Sequence, residues 1–358
     1  MRDQKLVRQH SISISRNLEY QMKISHILAS ALLVAIASAH ADDLTILDSN
    51  YSVTPYYTDP QANSVVSYDW SGAGDLYYMT QNDYVFTGVY EVSGGVNSTI
   101  DPATNFAFAG ANLVTIGNNV YYNYSDFSGF YINKYGPTNG TPSLTLASTA
   151  PNYGIFGHDG QMFITAGDSN GVNDIYYSTL GSDGSLNGVV DLGVTSGNSG
   201  PLAFDSAGDL FYAPGGGDLS IYKWSAADVA AAIADPTNDP LSVTGHLWED
   251  YSSTYSGVYG ASSMLVEGNG DLLVTLTNFS GPSDLVDFSS DAASSTLILT
   301  DTNALGELRS QGGSLYLSAG DQIVQIGAVP EPSAVLVIAL GLGLAVVVRQ
   351  TRKAKARA

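Results

Sequence analysis

The chain has 358 residues, with 34 acidic residues against 13 basic ones and no cysteine. A formal net charge of −21 argues against nucleic acid as a partner, because a phosphate backbone repels an acidic surface. The lack of cysteine excludes disulfide bridges and thiol nucleophiles, so packing alone must stabilise the fold.

Residues 1–41 are predicted to be an export leader. A short basic segment begins at Met22, an apolar stretch covers residues 27–37, and Ala39 and Ala41 fit the small-residue pattern of a signal-peptidase site. The segment before Met22 has no apolar pattern, so we take Met22 as the true start. Signal peptidase is therefore the first expected processing partner.

The mature ectodomain is expected to cover residues 42–328. It contains three Lys or Arg residues and 31 Asp or Glu residues, which gives a net charge of −28. Such a surface keeps an exported protein soluble, and binding of divalent cations is the second explanation. A composition rich in Tyr, Val, Leu, Gly, Ser and Asp is typical of an all-β fold.

A Gly or Asn turn followed by a short hydrophobic strand recurs six times in the ectodomain. Successive copies are 44, 42, 48, 62 and 43 residues apart, a spacing typical of propeller blades. The copies begin at Gly74, Asn118, Gly160, Gly208, Gly270 and Gly313.

Each copy is preceded by one strand and followed by a third, and a fourth is visible at residues 143–146 and 296–299. This order predicts an all-β fold, a six-bladed β-propeller with four-stranded antiparallel blades. The longest interval holds a capping box, Ser225 to Asp228, which predicts a short surface helix over residues 226–234.

The sixth copy ends after its third strand, at residues 322–326. The mature N-terminus offers one strand without a copy of its own, Leu44 to Leu47. We predict that this strand completes the last blade and closes the ring by pairing the two chain ends.

Metal binding has one weak candidate in the sequence. Asp168, Asn170 and Asp174 place oxygen ligands along a loop interrupted by glycine, which suits calcium. The loop lacks the bidentate glutamate of an EF-hand, and a plain strand connection explains it equally well. The expectation is therefore no cofactor, with calcium as the alternative.

No catalytic residue is predicted. The ectodomain has two histidines, His158 and His246, which belong to different copies. Pairs of adjacent tyrosines, such as Tyr77 with Tyr78 and Tyr121 with Tyr122, direct one ring to each sheet face. An exposed ring of a pair could stack on sugars; packing between blades is the favoured interpretation.

The last thirty residues have three parts. Val329, Pro330, Glu331 and Pro332 form an extended segment, because proline prevents helix continuation. The apolar segment 333–348 has 16 residues, or about 24 Å of helix against a hydrocarbon core of about 30 Å. We predict a short transmembrane helix, held by a cytoplasmic stop in the basic tail 349–358. The cations of this stop are Arg349, Arg352, Lys353, Lys355 and Arg357.

This order of motif, apolar segment and basic tail resembles the PEP-CTERM sorting signal of Gram-negative bacteria, which the membrane enzyme exosortase recognises and cuts. The resemblance covers residues 329–358 alone. It implies export across the inner membrane, a membrane-anchored precursor and a final location at the cell surface or outside the cell. Exosortase becomes the second processing partner, and the context is a biofilm or exopolysaccharide. An ordinary single-pass anchor is the alternative.

Two functional classes follow. The leading hypothesis is an exported, non-catalytic propeller scaffold, not an enzyme, that binds extracellular polysaccharide or protein. The alternative is a calcium-dependent propeller hydrolase or lactonase-like enzyme, because the repeat is similar to the blades of NHL-like and lactonase-like six-bladed propellers. A cluster of Asp, Asn and Glu around the ring axis would distinguish the enzyme.

Overall fold

The computed structural model describes residues 44–329, except for 83–84, 103–106, 127–128, 137–140, 149–151, 168–171 and 279–280. These residues form the predicted six-bladed β-propeller of four-stranded antiparallel blades; one blade carries a fifth strand, and a short pairing joins the sheets of the first two blades. The leader, with Ala39 and Ala41, lies outside the described residues. So do Pro330, Glu331, Pro332, the apolar segment and the basic stop.

The strands follow the chain around the ring. Two N-terminal strands, β1 (Thr45–Ile46) and β2 (Tyr51–Thr58), precede the blades. Blade 1 contains β3 (Ser64–Trp70), β4 (Leu76–Asn82), β5 (Val85–Ser93) and β6 (Val96–Asp101). Blade 2 contains β7 (Ala107–Ile116), β8 (Asn119–Asp126), β9 (Gly129–Tyr135) and β10 (Ser143–Ser148). Blade 3 contains β11 (Asn152–His158), β12 (Gln161–Gly167), β13 (Asn173–Ser178) and β14 (Val190–Val194).

The second half of the ring repeats this plan. Blade 4 contains β15 (Leu202–Phe204), β16 (Leu210–Tyr212), β17 (Ser220–Trp224), the helix α1 (Ala226–Ala234) and β18 (Leu247–Asp250). Blade 5 contains β19 (Gly260–Val266), β20 (Leu272–Asn278), β21 (Gly281–Phe288) and β22 (Ser295–Asp301). Blade 6 contains β23 (Leu305–Gln311), β24 (Ser314–Ala319) and β25 (Gln322–Ala328).

The recurring turn motif joins the first and second strand of each blade. Gly74, Gly208 and Gly270 have φ angles of 89°, 86° and 92°, a left-handed conformation that glycine adopts without steric cost. The first strand of each blade lies innermost, and β23 contacts β3, which closes the ring. The helix also matches its prediction, because Ser225 and Asp228 form the capping box.

An N-terminal strand does close the ring, but it is not the predicted one. β2 pairs with β25 from Tyr51 opposite Ala328 to Thr58 opposite Gln322, and so becomes the fourth strand of blade 6. The segment Leu44 to Leu47 instead contributes β1, a fifth strand paired with β22 of blade 5. Pro55 made β2 hard to recognise as a strand from the sequence. Proline cannot donate a ladder hydrogen bond, and within sheets it is found mainly on edge strands such as this one.

The hydrophobic core is divided among the blade interfaces. In the described part of the chain, six clusters of buried residues each fill the space between two neighbouring blades. Burial of one large apolar side chain contributes about 1.5–3 kcal/mol, so each interface contributes to stability. No helix among residues 44–329, gaps excepted, is long and apolar enough to span a bilayer.

Candidate functional site

The inner strands are irregular where they approach the propeller axis. In five blades the pairing between the first and second strand shifts register there, as at a β-bulge. Bulges redirect side chains and are common beside functional sites. The shifts lie between Val65 and Ser67, Ala109 and Leu113, Asn152 and Gly154, Ala261 and Ser263, and Leu305 and Leu308.

These bulges gather polar side chains from four blades around Glu307, which is 3 % exposed. Its Oε2 accepts hydrogen bonds from Asn112 Nδ2 at 2.6 Å and from Ser67 Oγ at 3.3 Å. Its Oε1 accepts one from Ser263 Oγ at 3.2 Å. Glu307 belongs to blade 6, and its partners belong to blades 2, 1 and 5. We call these residues, together with Arg309, the hub.

Arg309 supplies the positive charge of the hub. Its Nη2 lies 3.4 Å from Glu307 Oε1 and donates to the carbonyl of Leu113 at 3.0 Å, while Nε donates to the carbonyl of Tyr68 at 3.3 Å. Burial raises the pKa of Glu307 against the opposing effect of Arg309. Burial also disfavours the guanidinium charge, but the Glu307 carboxylate prevails and raises the pKa of Arg309.

From the sequence, an enzyme of this fold is expected to have a cluster of Asp, Asn and Glu around the ring axis, and the hub meets this criterion only in part. It brings one Glu and one Asn together around the axis, but both carboxylate oxygens of Glu307 already have partners. The guanidinium of Arg309 already supplies a positive charge beside Glu307, 3.4 Å from its Oε1. Because Glu307 is also shielded from solvent, the hub is better suited to hold the blades together than to bind calcium.

A second polar cluster lies away from the axis, on blade 5. Glu267 and Asp271 begin and end the turn from β19 to β20, where Glu267 N donates to the carbonyl of Asp271 at 2.8 Å. Asp287 is on β21, opposite Leu273 of β20. One carboxylate oxygen from each of the three acids lies within 4.8 Å of the others. We call Glu267, Asp271 and Asp287 the acidic cluster.

The carboxylates of the acidic cluster repel one another. Burial, followed by the charges of Asp287 and Asp271, raises the pKa of Glu267. Burial, followed by the charge of Asp271, raises the pKa of Asp287. Asp287 Oδ1 is buried and has no hydrogen-bond partner among the described residues. Oxygen ligands of this kind suit a hard divalent cation such as calcium, which would remove both the repulsion and the unpaired oxygen.

The calcium loop predicted from sequence is described only in part. Asp168 and Asn170 lie outside the described residues, while Asp174 is 5 % exposed and accepts a hydrogen bond from the Tyr176 hydroxyl at 3.2 Å. The acidic cluster was missed from sequence. Glu267 and Asp271 looked like ordinary turn residues, and no local signal connects them to Asp287, which comes close only through strand pairing.

The prediction of no catalytic residue overlooked one motif. Gly167, Asp168, Ser169, Asn170 and Gly171 match the Gly-x-Ser-x-Gly pattern of serine hydrolases. That pattern needs a turn from a strand into a helix, whereas this segment connects strands β12 and β13. Ser169 lies outside the described residues, so the motif remains a sequence observation.

The two histidines lie in different blades and contact aromatic rings. The His158 ring stacks on Phe204 with centroids 3.9 Å apart. His246 Nδ1 lies 3.1 Å from the carbonyl of Lys223, and its ring stacks near Trp224 at 5.9 Å. These contacts explain both side chains as parts of blade packing.

The tyrosine pairs are buried on both faces. Tyr77, Tyr78, Tyr121 and Tyr122 are each at most 1 % exposed. Packing between blades is therefore confirmed for these two pairs, and neither offers a ring for stacking on sugars.

A shallow groove of about 520 Å³ lies between β14 and the segment after α1. Asp191 is its one ionisable lining residue, and Asp191 Oδ1 already accepts a hydrogen bond from Gly193 N at 2.9 Å. This lining brings no group of polar side chains together, so the groove adds no chemistry to the acidic cluster.

Comparison with known proteins gives the fold but no family. No family model and no curated protein matches the sequence. Among solved structures, the chain is similar to a PQQ-bound aldose sugar dehydrogenase from Streptomyces coelicolor, with 15 % identity, 78 % of this chain and 99 % of that chain covered, and a TM-score of 0.52.

Two further structures are similar over most of their length. A gluconolactonase from Xanthomonas campestris has 14 % identity, 82 % and 97 % coverage and a TM-score of 0.51. A calcium structure of a Trichoderma reesei carbohydrate-active enzyme of family AA12 has 12 % identity, 82 % and 99 % coverage and a TM-score of 0.54. At such low identity the likeness shows the propeller fold alone.

Proposed function

We propose that this protein is a calcium-dependent propeller hydrolase of the lactonase-like class, with calcium bound by Glu267, Asp271 and Asp287. The observation that carries the proposal is the convergence of three carboxylates on one point, with a buried Asp287 oxygen that has no partner among the described residues. The calcium is thus placed on blade 5 and not at the axis, where Arg309 supplies the positive charge.

The fold comparison supports this enzyme class over a non-catalytic scaffold. All three similar structures are enzymes by their descriptions; one is a gluconolactonase and one is a calcium structure. A bound cation can polarise a lactone carbonyl and acidify a water molecule. Burial and the charges of Asp287 and Asp271 raise the pKa of Glu267, and a bound cation would oppose this shift and keep Glu267 ionised as a ligand.

The test combines calcium binding with turnover. We expect calcium to release or absorb heat in a titration and to raise the melting temperature of the wild type. Asp287→Asn and Glu267→Gln should each weaken calcium binding by about tenfold or more and slow calcium-dependent hydrolysis of glucono-1,5-lactone. Asp239→Asn is the matched control, since it removes one exposed negative charge on the segment after α1.

The outcomes separate the two parts of the proposal. If calcium produces no heat in the titration and no thermal stabilisation, the metal site is ruled out. Calcium binding without hydrolysis of the lactone would exclude the enzyme class tested and leave the second candidate function.

The second candidate is an exported, non-catalytic surface propeller sorted in the PEP-CTERM manner. Its support is that the end of β25, which directly precedes the sorting motif, is held in blade 6 beside the start of β2. Val329 N donates to the carbonyl of Asn50 at 2.7 Å, and Tyr51 pairs with Ala328. A segment cut by exosortase would therefore follow directly after blade 6, whereas the N-terminal strand β1 lies on blade 5. The acidic ectodomain would then bind polysaccharide through bridging cations.

Processing can be tested in a Gram-negative host that contains exosortase. We expect the wild-type chain to leave the membrane fraction and a Pro330→Ala/Pro332→Ala variant to remain in it. Pro236→Ala, outside the sorting motif, should behave as the wild type. If the Pro330→Ala/Pro332→Ala variant is released from the membrane as fully as the Pro236→Ala control, the sorting signal is rejected and an ordinary anchor remains.

A further inference from the structure

The ring is closed at two places, one at the rim and one at the hub. At the rim, β2 pairs with one strand, β25, and its Tyr56 and Tyr57 hydroxyls form hydrogen bonds with Trp70 and Tyr78 of blade 1. Val53 is the single residue of β2 that is fully buried, and a register shift between Pro55 and Tyr57 interrupts the pairing. An edge strand with one buried residue and an interrupted ladder opens at a lower free-energy cost than the inner strands of the ring.

The hub closes the same boundary from inside. Ser67 Oγ of blade 1 accepts a hydrogen bond from Leu113 N of blade 2 at 2.7 Å and also donates to Glu307 of blade 6. Ser263 Oγ of blade 5 donates to Glu307 and accepts from Leu308 N at 3.0 Å. Each hydroxyl thus connects two blades and the central carboxylate.

The surroundings of the hub allow little movement. Gly306 precedes Glu307, and a Cβ atom there would lie 2.3 Å from Ser318 Oγ and 3.0 Å from the carbonyl of Val66 in blade 1. Blades 6 and 1 therefore approach each other backbone to backbone. Separating them would break the hydrogen bonds of Glu307 to Ser67 and Asn112 and those of Arg309 to the carbonyls of Tyr68 and Leu113, whereas releasing β2 leaves these bonds intact.

We propose that the hub is a clasp that holds blades 6 and 1 together while the rim seam between β2 and β25 opens. Opening of the seam releases the hydrogen bond from Val329 N to the carbonyl of Asn50 and leaves β25 as an edge strand paired with β24, without unfolding the ring. The clasp does not depend on calcium binding or on catalysis, so its test is independent of the proposed function.

Hydrogen exchange on the full chain, followed by mass spectrometry, tests the clasp. In the wild type we expect amides of β2, residues 51–58, to exchange about tenfold faster or more than those of β3 and β23. Glu307→Gln weakens the clasp, so the exchange rates of the β3 and β23 amides should come within about threefold of the rate of the β2 amides.

A control separates the clasp from general loss of stability. Val286→Ala creates a cavity between blades 4 and 5, away from the hub and the seam, and should leave β2 the faster region. If Glu307→Gln does not fold, Ser67→Ala replaces it, with the same direction of change expected. Equal exchange of β2, β3 and β23 in the wild type overturns the proposal. A hub variant in which β2 remains the faster-exchanging region, as in Val286→Ala, also overturns the proposal.

Discussion

Arg309 is one of three basic residues in the ectodomain and the one that lies in the hub. Lys223 pairs with Asp205 and Asp209 at 3.6 Å and 3.0 Å on blade 4, and Lys134 donates to the carbonyl of Asp183 at 2.6 Å. Arg309 instead bridges three blades. Its side chain is 20 % exposed, and the side chain of its partner Glu307 is 4 % exposed.

At the residue scale we predict that Arg309→Met destabilises the protein strongly. The substitution keeps the stem but leaves Glu307 without its counter-charge. The expected loss is about 2–3 kcal/mol, below the value for a fully buried pair, because the guanidinium keeps some contact with water. Denaturant unfolding measures the loss. Lys134→Met, a change of the same kind in a half-buried side chain that bonds to one backbone carbonyl, should cost less, about 1 kcal/mol.

At the scale of elements, the two N-terminal strands differ in importance. β2 forms a complete outer strand and places Val53 in the interface between blades 5 and 6. β1 pairs through two residues, and Leu44 and Ile46 are only partly buried against the same cluster. Closure of the last blade therefore depends on β2, while β1 covers part of the edge of blade 5.

Truncation from the N-terminus should reveal this difference. Removing residues up to 48 deletes β1 and is expected to cost about 1–2 kcal/mol, a fall of about 2–8 °C in melting temperature. Removing residues up to 58 also deletes β2 and should lower the melting temperature by more than about 10 °C. Calorimetry of the two truncated chains measures both effects. Equal falls would show that β1, and not β2, closes the ring.

At the scale of the whole molecule, negative charge dominates. Some acidic groups have a raised pKa and others a lowered one. Burial raises the pKa of Glu307, Glu267 and Asp287. Hydrogen bonds lower the pKa of others, such as Asp183 through Ser185 and Asp235 through Asn238.

These shifts predict a stability maximum at mildly acidic pH. A raised pKa favours the folded state below the unfolded-state pKa, and that contribution is lost as the pH rises through the folded-state value. Stability should therefore increase from pH 7.5 toward about pH 5, helped by reduced self-repulsion. A lowered pKa acts in the opposite sense, so stability should fall again below about pH 4.

Denaturant unfolding between pH 3 and pH 8 checks this profile. Calcium should reduce the gain between pH 7.5 and pH 5, because the cation replaces protons at Glu267 and Asp287. A decrease in stability from pH 7.5 to pH 5 would contradict the profile, and an identical profile with and without calcium would contradict cation binding at the acidic cluster.

The sequence by itself determined the repeating part of this protein. Local signals, a glycine turn and a hydrophobic strand at blade spacing, identified six blades, and the capping box at Ser225 placed α1 at its observed residues. Such signals depend on neighbours within a few residues, so no tertiary information is needed. The same locality explains the error at the N-terminus: the apolar run of Leu44 to Leu47 looked more like a strand than the tyrosine-rich segment with Pro55.

The tertiary structure alone decided the parts that depend on distant partners. Strand pairing brings Asp287 close to Glu267 and Asp271. Ring closure brings Glu307 to Ser67 and Asn112, which lie far away from it in the sequence. A carboxylate in a turn and one on a strand look like ordinary surface residues until the blades assemble. The fold was therefore encoded locally and repeatedly, whereas both polar clusters exist only because the ring closes and its blades pack.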